Sequence, residues 1–479
     1  MPRDPGAQLP HQAEGTEFLR RNERAALFDE QGLGKSKQLI DAIAAQIAAG
    51  ELAGAVIVCP NGLKTNWAEE IAKFSDLSVA VFGAGRKARR SSFAKLRAAF
   101  YVINYEAVGA ELAALKALLR FKPMALVLDE SHRIKTPEAK VTEAVLQLRA
   151  SARRRYILSG TPVANKPEDL WSQFYFLDDG DALGATLSEF RGRYQSAGGG
   201  YTSLDDLRDR VGGISKRRLK DTAVALPAKT VSRLRLEITG RQLELYDGMR
   251  NELAVWVQSM NGAQVLREAE AILARLVRLA QIASDPSMLD ASYDEQPCKL
   301  IALDGLLEEH FAEPDAHKVI VWTSFVANIA SLQRRYPQYR PTTLHGALSG
   351  PERDASVRAF KGDPEVRLMI ANPAAAREGL TLTEANVAIY LDRTFNLVDY
   401  LQSQDRIHRI SQGTDCRIVL LLAKDSIDEF VDFCLEQKAR LARFVQQDVD
   451  SVLPADAALE KPDILRALLW PEANQGEGG

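Results

Sequence analysis

Two short runs of residues have the types and spacing to do chemistry. The first, Phe28-Asp29-Glu30-Gln31-Gly32-Leu33-Gly34-Lys35-Ser36, follows a short apolar stretch and precedes an amphipathic one. In that setting main-chain N–H groups at a helix N-terminus cradle phosphates, and Gly32 and Gly34 would let the chain turn around them. Lys35 would reach the β and γ phosphates of a nucleotide, and Ser36 would hold magnesium. The glycine that usually opens such a loop is Asp29 here, so a Gly-rich turn capping a helix is the alternative. The second run is the apolar stretch Met124 to Leu128, which ends in Asp129-Glu130-Ser131-His132. Carboxylates at the C-terminal end of a strand stand where open α/β sheets place their ligands. Asp129 would hold magnesium through water, and Glu130 would orient and deprotonate an attacking water. Such a pair alone is an ordinary helix cap; following a phosphate loop by about one hundred residues, it reads as that loop's acidic partner. His132 has no second ligand at metal-binding spacing and is expected to couple this loop to its neighbours.

These side chains need a scaffold, and the first third of the chain supplies its pattern. Short β-branched strands at Ala25 to Phe28, Ala55 to Cys59, Val79 to Phe82, Phe100 to Asn104, Ala125 to Leu128 and Tyr156 to Leu158 alternate with amphipathic helices such as Ser36 to Ala49 and Lys64 to Phe74. That rhythm predicts a parallel sheet covered on both faces. From about Asn165 to Gln296 long charged helical stretches, Gln242 to Ser259 and Val265 to Ala283, replace it, with a glycine loop at Gly198 to Gly200. This part reads as helical elaborations, too helical to continue a sheet. The rhythm returns at Val319 to Trp322, Arg367 to Ile370, Val387 to Leu391 and Arg417 to Leu422, with helices at Val326 to Arg335 and Pro351 to Phe360. A terminal amphipathic helix is expected at Ser426 to Gln447, and Gln475 to Gly479 as a disordered tail.

With 479 residues, two or three cores are expected. The 46% hydrophobic and 26% charged composition suits a folded chain. Apolar runs such as Ile418 to Ala423 are strand-sized, far short of the roughly 18 residues that span a bilayer, and no secretory signal is read at the N-terminus. Four scattered cysteines, Cys59, Cys298, Cys416 and Cys434, give no zinc or disulfide spacing, so a reducing, cytoplasmic compartment is expected. A net charge of −3 makes any nucleic-acid contact local. The basic clusters Arg86 to Arg90, Arg153 to Arg155 and Lys216 to Lys220 each read by themselves as solvated faces.

Taken together, these runs resemble the SWI/SNF-type DNA-dependent ATPases of the superfamily-two helicase-related proteins. Asp29 to Ser36 resembles that family's DEMGLGKT, in which the first loop glycine is also Asp. Leu9-Pro10-His11-Gln12-Ala13-Glu14-Gly15 resembles the adenine-reading segment, which implies that Gln12 recognises the base. Val58-Cys59-Pro60 with Asn66-Trp67 resembles motif Ia, and Ile103-Asn104-Tyr105-Glu106 the next DNA-facing segment. Ser159-Gly160-Thr161-Pro162, with Asn165 and Leu170-Trp171, is similar to motif III. Arg377-Glu378-Gly379-Leu380-Thr381-Leu382-Thr383 resembles motif V, and Gln402 to Gln412 motif VI; Ile272 to Met288 and Lys216 to Lys229 fit the family's helical insertions. Departures are Ser36 for Thr, Ser131 for Ala and Ser411 for Gly. No bromodomain, chromodomain or nuclease is read at either end, an impression of a minimal bacterial, archaeal or phage member.

The resemblance implies two RecA-like doubly wound parallel-sheet lobes, with helical insertions between motifs III and IV. Expected boundaries are 1–190 for the ATP-binding lobe, 191–296 for insertions and connection, 297–425 for the second lobe and 426–479 for a C-terminal helix and tail. It implies ATP and Mg2+ as cofactors, with Gly379 and Gln402 joining the nucleotide contacts. Arg406 and Arg409, expected to share a helix face, become arginine fingers facing the γ phosphate across an interlobe cleft. His408 is expected to pack. Duplex DNA, bound without regard to sequence, is the implied partner, touched by Pro60, Asn66, Asn104 and Tyr105 on one lobe and Thr323 and Ser324 on the other. The implied activity is ATP-driven translocation coupled to lobe closure; a strand-separating or annealing helicase on DNA or RNA, and a non-hydrolysing DNA clamp, remain as alternatives.

Overall fold

The computed structural model describes residues 8–83, 98–196, 200–224, 226–260, 264, 267–313, 315–377 and 379–449. The basic run 86–90, residues 198–199 of the glycine loop, residues 265–266 of one expected helix, Glu378 and the tail 475–479 lie outside them. Among the described residues the strands form two wholly parallel sheets, one of seven strands and one of six. Two compact units divide the chain: one takes the described residues of Met1–Ala225 and Lys438–Ala458, the other those of Leu226–Gln437.

In the first unit the strands are β1 (Arg24–Leu27), β2 (Gly54–Cys59), β3 (Val79–Val81), β4 (Phe100–Asn104), β5 (Met124–Asp129), β6 (Arg154–Leu158) and β7 (Ser215–Lys216), in the order β3-β4-β2-β5-β6-β1-β7. Residues alternate between two cores as strand geometry requires. Ala26, Val56, Val58, Leu126 and Leu128 enter one; Ala25, Leu27, Ala55, Ile57, Ala125 and Val127 enter the other. The apolar runs are therefore continuous because both faces are buried. The helix Lys35–Ala48 covers one face through Leu39, Ile40, Ala42 and Ile43. On the opposite face, the last turns of the helix Ile427–Val445 bury Leu441, Ala442, Phe444 and Val445 beside Leu207 and Val211.

In the second unit β8 (Lys229–Leu236), β9 (Lys318–Trp322), β10 (Thr342–Leu344), β11 (Leu368–Ala371), β12 (Ala385–Tyr390) and β13 (Cys416–Ala423) run in the order β10-β11-β9-β12-β13-β8. Ile320, Trp322, Ala388, Ile418 and Leu420 face one core, and Val319, Val321, Ile389, Val419 and Leu421 the other.

Three strands go beyond the sequence reading. β10 is too short to show a period. β7 and β8 lie in the stretch read as too helical to continue a sheet, yet each supplies an edge strand, and among the described residues between them the one helix is the single turn Lys220–Ala223, so Lys216 to Lys229 does not form the helical insertion expected of it. β8 reads poorly from sequence because nearly all its residues are exposed, and it lacks the continuous apolar run of strands buried on both faces.

Candidate functional site

Parallel register gathers the candidate chemistry of the first unit at one end of its sheet. Leu27 of β1 pairs with Leu158 of β6, and Leu158 with Asp129 of β5. The loops that follow these three strands therefore leave side by side: the phosphate loop, Ser159-Gly160-Thr161, and Glu130-Ser131-His132. Gly32 and Gly34 both take positive φ, 90° and 77°, conformations that favour glycine. Leu33 between them is fully buried and anchors the loop. Gly34 is the N-cap of the helix Lys35–Ala48, so Lys35 and Ser36 are its first two residues and its unpaired N–H groups open toward the loop. A Cβ on Gly34 would stand 2.5 Å from the side-chain nitrogen of Gln12, whose oxygen accepts from Leu9 N at 3.1 Å. Gln12 is thus held directly over the loop.

The Lys35 ammonium donates to the main-chain oxygens of Asp29 at 2.6 Å and Glu30 at 3.2 Å. Burial pushes its pKa down, against the attraction of Glu130, Asp29 and Asp129. Gly160 closes on it from β6: a Cβ there would stand 2.9 Å from Gln31 Cγ and 3.6 Å from Lys35 Nζ. Asp129 accepts from Trp67 Nε1 at 2.8 Å, and its main-chain oxygen accepts from the Tyr105 hydroxyl at 2.8 Å. Glu130 takes a left-handed conformation, φ 52°, accepts from Gln31 Nε2 at 3.3 Å and lies 3.3 Å from His132 Nδ1. Burial first, and the charge of Glu130 second, push the Asp129 carboxyl up to about 7. A carboxyl raised by burial and by the charge of its neighbour suits a divalent cation, whose charge would hold it ionised.

Neighbouring loops are tied to the acidic pair. His132 Nδ1 lies 3.4 Å from Ser159 Oγ, while Ser131 donates to Gln173 at 2.6 Å and Gln173 donates to Pro162 O at 2.8 Å. Among the described residues no group of three or more His, Cys, Asp or Glu gathers as a metal-binding cluster.

Two arginines that sequence reasoning set aside as part of a solvated cluster are built into the loop. Asp29 is fully buried, and Arg218 meets it at two points, 2.9 and 2.6 Å, while also donating to Gln38 at 2.8 Å and to the main-chain oxygen of His11. Arg217 donates to Phe28 O at 2.6 Å and pairs with Asp448. Lys220, also buried, donates its main-chain N–H to Glu30 at 2.6 Å. Arg155, of another cluster read as solvated, is buried and paired with Asp179 at 2.7 Å. The basic types were visible in the sequence; the acids that neutralise them lie far along the chain.

The residues expected to touch DNA differ in exposure. Tyr105 is buried with its hydroxyl under Asp129, and Pro60 is buried at the start of the turn Asn61–Leu63. Asn66 is exposed on the helix Lys64–Phe74; Asn104 is half-buried between Lys64, 3.4 Å, and Glu106, 2.8 Å. In the second unit Thr323 is fully buried and donates to Asp392 at 2.7 Å, a carboxylate that also accepts from Ser284 and Asn328. Ser324 is half-buried.

Arg406 and Arg409 do not share a helix face. The helix Leu397–Gln404 stops before them, and both lie in the turns that follow. Arg406 is buried, with its guanidinium on the main-chain oxygens of Gln402, 2.9 Å, and Leu380, 3.1 Å. Arg409 is half-exposed and donates to Thr381 Oγ1 at 2.9 Å and Gly379 O at 3.5 Å. Gly379 takes φ 64°, and the buried Gln402 Nε2 finds no hydrogen-bond partner among the described residues. His408 packs, its Nε2 3.0 Å from Pro227 O.

Residues 11–288 match the family described as the SNF2-related domain, and residues 298–411 the helicase conserved C-terminal domain. Curated relatives include chromodomain-helicase-DNA-binding protein 1-like of Danio rerio, 25% identical across 95% of this chain and 46% of its own length. The putative ATP-dependent helicase/translocase YwqA of Bacillus subtilis is 28% identical across 91% of this chain and 48% of its own. The chain spans about half the length of these relatives. Among solved structures, a Sulfolobus solfataricus SWI2/SNF2 ATPase core in complex with dsDNA is 26% identical, covering 97% of each chain with a TM-score of 0.44.

Proposed function

Because the chain belongs to the SNF2-related domain family, we propose that it is a DNA-dependent ATPase that translocates on duplex DNA and remodels DNA or protein–DNA complexes. The observation that carries this reading is the convergence of Lys35, the Asp129 and Glu130 carboxylates and Gly160 at adjacent strand ends of one sheet. Lys35 and the loop N–H groups take the β and γ phosphates of ATP, with Gln12 on the base. Ser36 and Asp129 hold Mg2+, which would supply charge neutralisation on the phosphates. Glu130 orients the attacking water and accepts its proton.

From the second unit Arg409 supplies the cation that stabilises charge developing on the γ phosphate, and Gly379 and Gln402 complete the nucleotide contacts. Arg406 supports that group from within, holding the loop that Arg409 touches. Hydrolysis is coupled to closure and opening of the two lobes. Asn66, Asn104 and Ser324 are the side chains retained for DNA; Pro60, Tyr105 and Thr323 act by shaping the loops that carry them. Contacts to phosphates make binding independent of sequence and steeply dependent on salt.

The test is phosphate release by the wild type and by Lys35→Ala with duplex, single-stranded and forked DNA and with RNA. Duplex DNA is expected to stimulate most, and Lys35→Ala to abolish turnover. Translocation without unwinding displaces the third strand of a triplex and leaves a blunt duplex paired; efficient separation of that duplex would favour the helicase instead. Absence of turnover under every condition would leave the non-hydrolysing clamp.

A further inference from the structure

Arg217 and Asp448 stand 231 residues apart and meet in a two-point ion pair, with Nε to Oδ1 and Nη2 to Oδ2 both at 2.6 Å. Their side chains are 11% and 4% exposed. The third nitrogen of the guanidinium, Nη1, donates to the main-chain oxygens of Phe28 at 2.6 Å and Gly160 at 3.3 Å. Phe28 leads into the phosphate loop, and Gly160 is the residue pressed against Gln31 and Lys35. One guanidinium therefore staples the entry of the phosphate loop to the loop after β6. Its planar fork fixes its orientation only while a carboxylate faces it squarely, and Asp448 is that carboxylate.

Asp448 is delivered by a fixed segment. Leu441, Phe444 and Val445 are buried in the core of the first unit, Lys438 Nζ donates to Asn165 at 3.3 Å, and Gln447 Nε2 donates to Arg208 O at 3.2 Å. The charge of Arg217 also bears on Lys35, since it is among those that lower the lysine's pKa. Asp448 thus does two things at once: it aims the donor that holds both loops, and it neutralises a cation near the phosphate-binding ammonium.

We propose that Asp448, acting through Arg217, is a positioning residue for nucleotide binding, so that the segment after the helix Ile427–Val445 completes the phosphate loop. The proposal rests on the ATPase reading and deepens it. Steady-state ATP turnover of the full chain with saturating duplex DNA tests it in the wild type and in Asp448→Ala, Asp448→Asn and Asp448→Glu. The alanine and asparagine variants are expected to raise KM for ATP about tenfold, the scale of one charge-assisted hydrogen bond. Asp448→Glu, which restores the charge, should recover most of that loss. A role confined to holding the fold would lower the amount of active protein, and so the maximal rate, at unchanged KM; that result overturns the proposal. A lowered KM, as expected if Asp448 merely repelled the anionic nucleotide, also overturns it. Should Asp448→Ala fail to fold, the isosteric Asp448→Asn gives the same reading. A wild type without turnover instead sinks the ATPase reading underneath.

Discussion

Asp29 occupies the position where phosphate loops usually carry glycine, and its carboxylate is fully buried against Arg218. Removing one partner of a buried pair leaves the other charge uncompensated, so Asp29→Gly, which writes the commoner motif into the chain, should destabilise the first unit. The expected loss is about 3 kcal/mol, read from denaturant unfolding, with ATP binding weakened as well. Unchanged stability would mean that Arg218 finds another acceptor at no cost. Glu130→Gln should keep nucleotide affinity, measured by equilibrium binding, and stop hydrolysis, because the amide keeps the shape but cannot take the proton. The phosphate loop and the acidic pair were legible in the sequence because each is a local run whose function depends on adjacent residues. Arg218 was not: it meets Asp29 across 189 positions, and nothing in a basic run announces a distant carboxylate.

At the scale of elements, burial separates residues that sequence had grouped together. Arg406 and Arg409 share one motif and were read as one pair, yet the chain leaves the helix Leu397–Gln404 before reaching them and turns their guanidiniums to different depths. Arg406→Ala should cost the second unit about 3 kcal/mol by emptying a buried, hydrogen-bonded site. Arg409→Ala should change stability by less than about 1 kcal/mol and reduce turnover by roughly a thousandfold. Parallel thermal melts and phosphate-release assays distinguish them, and equal effects on both readouts would return the two to one role. Tyr105 and Thr323 teach the same lesson: each sits at a strand end, where a sequence reading expects exposure, and each is drawn inward by a hydrogen bond, to Asp129 O and to Asp392. The strands themselves were largely legible because two buried faces make continuous apolar runs, whereas β7, β8 and β10 are too short or too exposed to leave such a trace.

For the whole molecule, the two sheets are complete in themselves, each with its own pair of cores, and the stretch between them furnishes an edge strand to each. β8 is the longer of these edges. It pairs with β13 alone among the described residues, and Val231 and Leu234 on it are 40% and 38% exposed. An open strand of this length is a template on which other chains can stack. Lys229, Arg233 and Arg235 stand along it at alternating positions, with Arg233 and Arg235 tethered to Asp432 and Glu429, so an incoming strand would have to bury their charges. These cations are expected to guard the β8 edge against aggregation. Replacing all three with threonine should leave the early rate of ATP turnover intact while light scattering rises with time and protein concentration; a variant that stays monodisperse would show that the edge needs no such guard.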